Sequence, residues 1–304
     1  MHFAPMSPLK PDPLSGQSLV VLGAGYVGEA VCREGLRRGM RVHALTRNAD
    51  RAARLQAMGV KSVVAQLDQS DWHDALPPDA DCSLNCVSSG GGGTDAYRTS
   101  YVQGTRSILE WGKRTVTPGL LIYTSSTSVY AQGDGARIDE EATAEGSGET
   151  GPILLEAEAL TRSWAGSTAV VRLAGIYGPG RHQMLDQLRN GARVLPGRGD
   201  HRLNLIHRDD IVGAVFRIWE CQRGKSGSWL YNLADNDPRP KAEVATWLAR
   251  RLGVETPTFS ETPAPGRRRL VPDRIILNSR IRTELGWSPV YPTFREGYEA
   301  LLGA

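Results

Sequence analysis

One stretch, Gln17 to Arg47, leaves this chain little freedom: QSLVVLGAGYVGEAVCREGLRRGMRVHALTR. Ser18 to Leu22 is a short aliphatic and β-branched run, which reads as a buried strand. Gly23, Gly25 and Gly28 follow at once as G-A-G-Y-V-G, enclosing Tyr26 and Val27. An amphipathic run continues to Arg38, Gly39 stops it, and a second apolar strand runs from Arg41 to Thr46. Strand, glycine turn, helix and strand in this order make the unit that holds a dinucleotide. Gly23 suits the tight turn, Gly25 lets the backbone approach a pyrophosphate, and Gly28 brings the helix close to the sheet. The free N–H groups and positive dipole end of the helix would receive the phosphate charge.

The tip of the second strand is expected to select the nucleotide. A binder of NAD usually carries an acidic residue there to bond the ribose hydroxyls. This chain carries Thr46 and Arg47. A guanidinium can grip a 2′-phosphate in bidentate fashion and stack on adenine. NADP is therefore the expected cofactor, with NAD left open, and the competing reading makes Arg47 a solvated loop charge.

Composition narrows the partners. A formal net charge of +3 over 304 residues is too small to argue for nucleic acid. The arginines at Arg37, Arg38 and Arg41 lack interleaved aromatics and read as a solvated face. No run approaches the ~20 apolar residues of a membrane span. Cys32, Cys82, Cys86 and Cys221 show neither disulfide nor metal-ligand spacing, so buried thiols in a reducing compartment, most simply the cytoplasm, are expected, with no metal. Residues 1–16 are proline-rich without an apolar h-region and read as a flexible tail.

Strands and helices then alternate. Helices are expected at Asp50–Met58, at Trp72–Leu76, from a cap at Thr94 or Asp95 to Lys113, and at Ile153–Ala165. Strands are expected at Val60–Ala65, Asp81–Val87, Leu120–Thr124 and Thr168–Leu173. The rhythm predicts an α/β fold, a Rossmann-like doubly wound parallel sheet with a small C-terminal substrate lobe. Residues 17–174 would form the cofactor domain and 175–304 mainly the lobe, with 203–235 partly returning to the sheet. Residues 133–151 are small, polar and acidic and read as a loop. The four glycines Gly90 to Gly93 follow a strand, so they read as a lid over the cofactor groove or as a plain flexible loop.

Beyond the tail, the chain resembles the extended short-chain dehydrogenase/reductases, the NAD-dependent epimerase/dehydratase group. The likeness rests on GAGYVG, on Asp68, on Tyr101-V-Q-Gly104-Thr105 and on Thr124-Ser125-Ser126-T-S-Val129-Tyr130. It continues in Arg172-L-A-Gly175-I-Tyr177-Gly178-Pro179-Gly180, Leu205-I-His207-R-Asp209-Asp210, Tyr231-Asn232-Leu233 and Leu285-Gly286-Trp287. The resemblance implies that Asp68 bonds the adenine amino group with Leu67 beside the ring. Val87 and Ser88 would line the groove, Ser126 would hold the substrate oxygen, and Tyr177 would lie near the nicotinamide. His207 to Asp210 would brace the lobe, and two copies would pair as a homodimer through the helices starting near Asp95 and Ile153.

Two departures stand out. Leu22 replaces the first glycine of the family's usual G-x-x-G-x-x-G, as in its atypical branch. The family's Tyr-x-x-x-Lys is missing, since its positions fall near Thr150 and Leu154. A tyrosine of pKa near ~10 is a poor proton shuttle at neutral pH, and in the family's usual enzymes a lysine one helical turn away lowers that pKa. Tyr130 and Tyr177, just past strand ends, are the candidate relocated acids, and packing roles are the alternative. Arg181 and Arg268, the latter within Arg267–Arg269, are candidate contacts for an anionic substrate. The reading is an NAD(P)-binding oxidoreductase or epimerase-like protein, acting on a small polar or sugar-derived substrate through a non-standard proton donor. The alternative is a catalytically inactive NADP-binding sensor or scaffold.

Overall fold

The computed structural model describes residues 12–260, 262 and 272–303. Its centre is a sheet of seven strands: β1 (Ser18–Leu22), β2 (Arg41–Thr46), β3 (Lys61–Val64), β4 (Cys82–Asn85), β5 (Leu120–Ser126), β6 (Thr168–Leu173) and β7 (Ser228–Leu233). The order is β7-β6-β5-β4-β1-β2-β3, and every pairing is parallel. A sheet covered on both faces has apolar central strands, and all five residues of β1 are buried. Leu19 and Val21 enter the larger core and Val20 and Leu22 the opposite one, as strand alternation requires. The strand order reverses between β1 and β4, which opens a crevice beyond their carboxyl ends.

Helices α1 (Tyr26–Arg37), α2 (Ala49–Ala57), α3 (Gly93–Tyr97), α4 (Gly104–Gly112) and α5 (Gly151–Thr161) connect these strands. Between α3 and α4 the chain stays helical but winds as a π-helix over Arg98–Gln103. The cap of α3 is Gly92 in a left-handed conformation, not Thr94 or Asp95, because Gly90 to Gly93 all adopt positive φ and bring the helix start forward. Trp72–Leu76 is a series of turns instead of the expected helix. The Trp72 indole donates to the Leu67 carbonyl, and its ring lies 5.4 Å from that of Trp111. The loop at 133–151 contains a short strand, Ala136–Ile138, paired in parallel with Arg274–Ile276.

The remaining helices are α6 (Gln183–Arg189), α7 (Arg208–Gln222), α8 (Lys241–Leu252), α9 (Ser279–Leu285) and α10 (Phe294–Leu302). Helices α6, α8 and α10 close on a separate core that includes Leu185, Val244, Leu248, Phe294 and Tyr298. Helix α7 instead lies against the sheet side, where Arg38 at the end of α1 pairs with Glu220 and covers the Phe216 ring at 4.6 Å. The carboxylate of Asp210 accepts from the backbone N–H of Val290 and Tyr291, tying α7 to the lobe. Among the described residues no helix is long and apolar enough to cross a membrane, no metal-ligand cluster occurs, and all four cysteines are free.

Candidate functional site

A cleft of about 750 Å³ opens over the crevice between β1 and β4. Its floor is the glycine turn. Gly23 has φ +92°, and a β-carbon there would stand 2.7 Å from the Val87 backbone. A β-carbon on Gly28 would meet the Gly23 carbonyl at 2.6 Å and the Cys86 sulfur at 2.9 Å. These two glycines are required by close packing. Gly25 differs: a β-carbon on it would find nothing closer than 3.9 Å, so its missing side chain leaves open space on the cleft. Gly25 also caps α1 with no side chain bonded to the first-turn N–H groups. With Tyr26 and Val27 beside it on the cleft, this cradle fits an anionic diphosphate.

Thr46, Arg47, Asn48 and Arg51 line one end of the cleft with Leu67 and Asp68. Arg47 is exposed, has no ion-pair partner among the described residues, and passes 3.3 Å from where a Gly90 β-carbon would stand. The glycine run therefore borders this end. Asn48 accepts from the Arg51 N–H at 2.7 Å and caps α2, while the Arg51 guanidinium approaches Glu29 at 3.7 Å. Leu67 is buried against Gly104, where a β-carbon would come within 2.9 Å of its methyl. Val87, Ser88 and Ser89 form the opposite wall.

At the other end lie Ser126, Ser128 and Leu154. Ser126 is half-buried and its Oγ accepts from the Ser128 N–H at 3.2 Å. Leu154 lines the cleft where a lysine was expected by resemblance, and Thr150 stands at the cap of α5. Tyr130 is not on the cleft. It is fully buried, its hydroxyl donates to Asn232 Oδ1 at 2.9 Å and accepts from Arg172 at 2.9 Å, and its ring lies 4.8 Å from that guanidinium. Arg172 in turn forks onto Glu158, at 3.0 and 2.7 Å, and Ser125 donates to the same carboxylate at 2.6 Å. Tyr177 is also off the cleft: it is buried in the lobe core, stacked on Tyr298 at 5.0 Å. Both tyrosines follow strands as expected, but their side chains turn inward, where burial pushes both hydroxyls further from ionisation. Against the expectation for a relocated acid, neither side chain lines the cleft.

On the lobe side Arg181 lines the cleft, and the Tyr26 ring lies between the guanidinium groups of Arg181 at 5.6 Å and Arg208 at 5.3 Å. Arg208 is paired with Asp209, whereas Arg181 has no ion pair among the described residues. Arg268 lies outside the described residues. Behind Tyr26, the buried His207 Nε2, Tyr177 hydroxyl and Asp235 Oδ2 have no hydrogen-bond partner among the described residues.

Burial pushes the Asp235 carboxyl up to about 8. Between its unfolded value of about 4 and that pH, the folded chain holds a proton that the unfolded chain has released. Its contribution to stability therefore falls as pH rises through this window. Asp210, pushed up to about 6 by burial, acts in the same sense over the lower part of it. His207, pulled down to about 4 by burial, acts in the opposite sense below its unfolded value of about 6.5. Asp235→Asn removes only the first contribution. The stability of the variant relative to wild type, read from melting curves, is expected to climb from pH 5 to pH 8, by at most roughly 1.4 kcal/mol per pH unit. Parallel melting curves across that range would show that Asp235 is ionised in the fold.

Tyr97, Thr99, Ser100 and Tyr101 also line the cleft, and the sequence reading did not assign them to the site. Tyr97 and Tyr101 are four residues apart on a helical run, a spacing that places both on one face. That spacing is legible in the sequence, but it does not by itself say that the shared face borders the cleft.

Comparison with known proteins follows from this geometry. The model of the NAD dependent epimerase/dehydratase family matches residues 19–234. The chain is similar to Protein YeeZ of Escherichia coli (strain K12), 28% identical over 289 residues that cover 91% of this chain and 97% of that one. It is similar to the 2-alkyl-3-oxoalkanoate reductase of Stenotrophomonas maltophilia (strain K279a), 27% identical over 78% of this chain and 76% of that one. The fold matches that of MoeE5 in complex with UDP-glucose and NAD, with a TM-score of 0.78, 20% identity, and coverage of 93% and 96% of the two chains.

Proposed function

Because the chain belongs to the NAD dependent epimerase/dehydratase family, we propose that it is an NADP(H)-dependent oxidoreductase acting on a small polar or sugar-derived carbonyl compound. One observation carries the cofactor choice: the tip of β2 presents Thr46 and an unpaired Arg47 to the cleft, where an acidic residue would otherwise bond the ribose. In this reading Gly23, Gly25, Tyr26, Val27 and Gly28 hold the diphosphate, and Arg47, with Arg51 beside it, takes the 2′-phosphate. Leu67, Asp68, Val87 and Ser88 hold the adenosine half. Bound NADPH supplies a hydride. Ser126 orients the substrate oxygen, Leu154 and the serine-rich wall shape its surroundings, and Arg181 meets an anionic group on the substrate.

The reductase activity of the Stenotrophomonas relative supports carbonyl chemistry, and the UDP-glucose and NAD of MoeE5 support a polar, sugar-sized partner for the lobe. The missing Tyr-x-x-x-Lys favours a second reading, a nucleotide sensor without turnover. Absorbance of NADPH, followed against a panel of carbonyl compounds and nucleotide sugars, decides between them. The cofactor choice has its own test. Arg47→Ala is expected to weaken NADPH binding roughly 10- to 100-fold, since a charge-assisted bond is worth about 1.5–3 kcal/mol. NADH binding should change little, and calorimetry on both variants checks the pair. Equal losses for the two nucleotides, or tighter binding of NADH by wild type, contradict the assignment.

A further inference from the structure

With Tyr130 and Tyr177 turned away, the proton donor has to come from elsewhere on the cleft. The ionisable groups that line it divide clearly. Asp68 lies at the end with Arg47 and bonds Gln69 at 2.9 Å. The Cys86 thiol contacts the Gly23 carbonyl at 3.1 Å and is pushed up to about 12 by burial. The Tyr26 hydroxyl is buried against Gly178 and His207, facing away from open space. The Tyr101 hydroxyl is held by the Ser89 backbone, and burial pushes it up to about 12. Tyr97 is half-buried, and it has no hydrogen-bond partner among the described residues.

The surroundings of Tyr97 place it beside the family's vacated positions. Three residues before it, Thr94 Oγ1 lies 3.3 Å from Glu149; one residue after it, Arg98 lies 2.8 Å from Glu156. The two contacts tie this helical segment to the residue just before the cap of α5 and to the second turn of α5, on either side of Leu154 in sequence. Tyr97 packs against the same hydrophobic core that holds Leu154, and both line the cleft. The π-helix begins at the next residue. Its wider winding brings Thr99, Ser100 and Tyr101 to the cleft as well, and the Tyr97 and Tyr101 rings lie 5.1 Å apart.

We propose that Tyr97 is the proton donor to the substrate carbonyl oxygen, taking the role of the tyrosine that α5 lacks. The assignment rests on the oxidoreductase reading above. As a hydride from the bound dihydronicotinamide reaches the carbonyl carbon, the π pair of the C=O bond moves to oxygen. That oxygen forms an O–H bond while the Tyr97 Oη–H bond breaks. The phenolate left behind recovers its proton from water, which the partial exposure of Tyr97 admits.

The test uses the full chain with NADPH and two probes, acetoacetate and ethyl acetoacetate, together with tetranitromethane nitration read by mass spectrometry. Tyr97→Phe is expected to lower kcat about 10²- to 10⁴-fold, the usual weight of a positioned acid. KM for NADPH should stay within about two-fold, because no cofactor contact is lost. In the wild type, Tyr97 should be nitrated readily without cofactor and at least several-fold less with saturating NADP⁺. Turnover retained by Tyr97→Phe would overturn the assignment and leave the oxidoreductase reading standing. Nitration of Tyr97 unaffected by NADP⁺ would overturn it whatever the kinetics. Bound NADPH with no turnover by the wild type of these probes or of any compound in the carbonyl and nucleotide-sugar panel would remove the enzymatic reading and the donor together.

Discussion

Gly25→Asp is expected to abolish dinucleotide binding while leaving the fold intact. The reasoning follows from the contrast among the three glycines. A side chain at Gly23 or Gly28 would strike backbone or a buried sulfur, so loss of binding there would be confounded by loss of structure. At Gly25, φ is −87° and the nearest atom to an added β-carbon is 3.9 Å away. Aspartate is a common residue at a helix N-cap, and its β-carbon finds room here, so α1 should persist. Its carboxylate would then occupy the cradle and repel a pyrophosphate at contact distance. Like charges brought together at an interface cost several kcal/mol, so a loss of roughly 10³-fold or more in NADPH affinity is expected. Calorimetry and thermal melting on the same sample check both halves. Affinity within ten-fold of wild type would mean that the nucleotide lies elsewhere.

The largest effect on stability should come from Glu158→Ala. This carboxylate and Arg172 are both buried, 1% and 5% exposed in their side chains, and they form a two-pronged ion pair beneath Ser125. Removing the acid leaves a guanidinium in the core with only the Tyr130 hydroxyl as hydrogen-bond partner among the described residues. Breaking a buried pair in this way typically costs about 3–5 kcal/mol. The melting temperature should fall by roughly 10 °C. The double variant Glu158→Leu with Arg172→Leu should recover part of that loss, because the cost lies in the stranded charge more than in the absent attraction. A single variant that melts within 2 °C of wild type would show that water reaches Arg172 and that the network is less enclosed than its geometry indicates.

Much of the scaffold was legible because its signals are local. An aliphatic run such as Ser18–Leu22, a polar helical run such as Asp50–Met58 and a stop at Gly39 each act within a few residues, and the corresponding elements formed within one or two residues of expectation. The strand Ala136–Ile138 was not legible, since its partner, Arg274–Ile276, lies far along the chain and short polar strands have no periodicity of their own. The tyrosines show a subtler limit. That Tyr130 and Tyr177 follow strand ends could be read from pattern. Which way each ring turns depends on Asn232, Arg172 and Tyr298, residues that only the folded chain brings near. Tyr97 was overlooked for a similar reason. Its four-residue spacing from Tyr101 can be read from pattern, but which helix face borders the cleft depends on the folded chain and on the π-helix that starts at Arg98.

The outermost strand of the sheet has a consequence for synthesis. β7 pairs with β6, yet the ribosome delivers it only after most of the lobe's first half has emerged. At roughly 5–20 residues per second, a nascent chain carries an open, apolar β6 margin for several seconds. All six residues of β6 are buried in the finished molecule, so this temporary border is attractive to any other unfinished strand nearby. Newborn copies on neighbouring ribosomes are therefore most at risk of sticking together in that interval, and holding factors that shield apolar edges would matter most then.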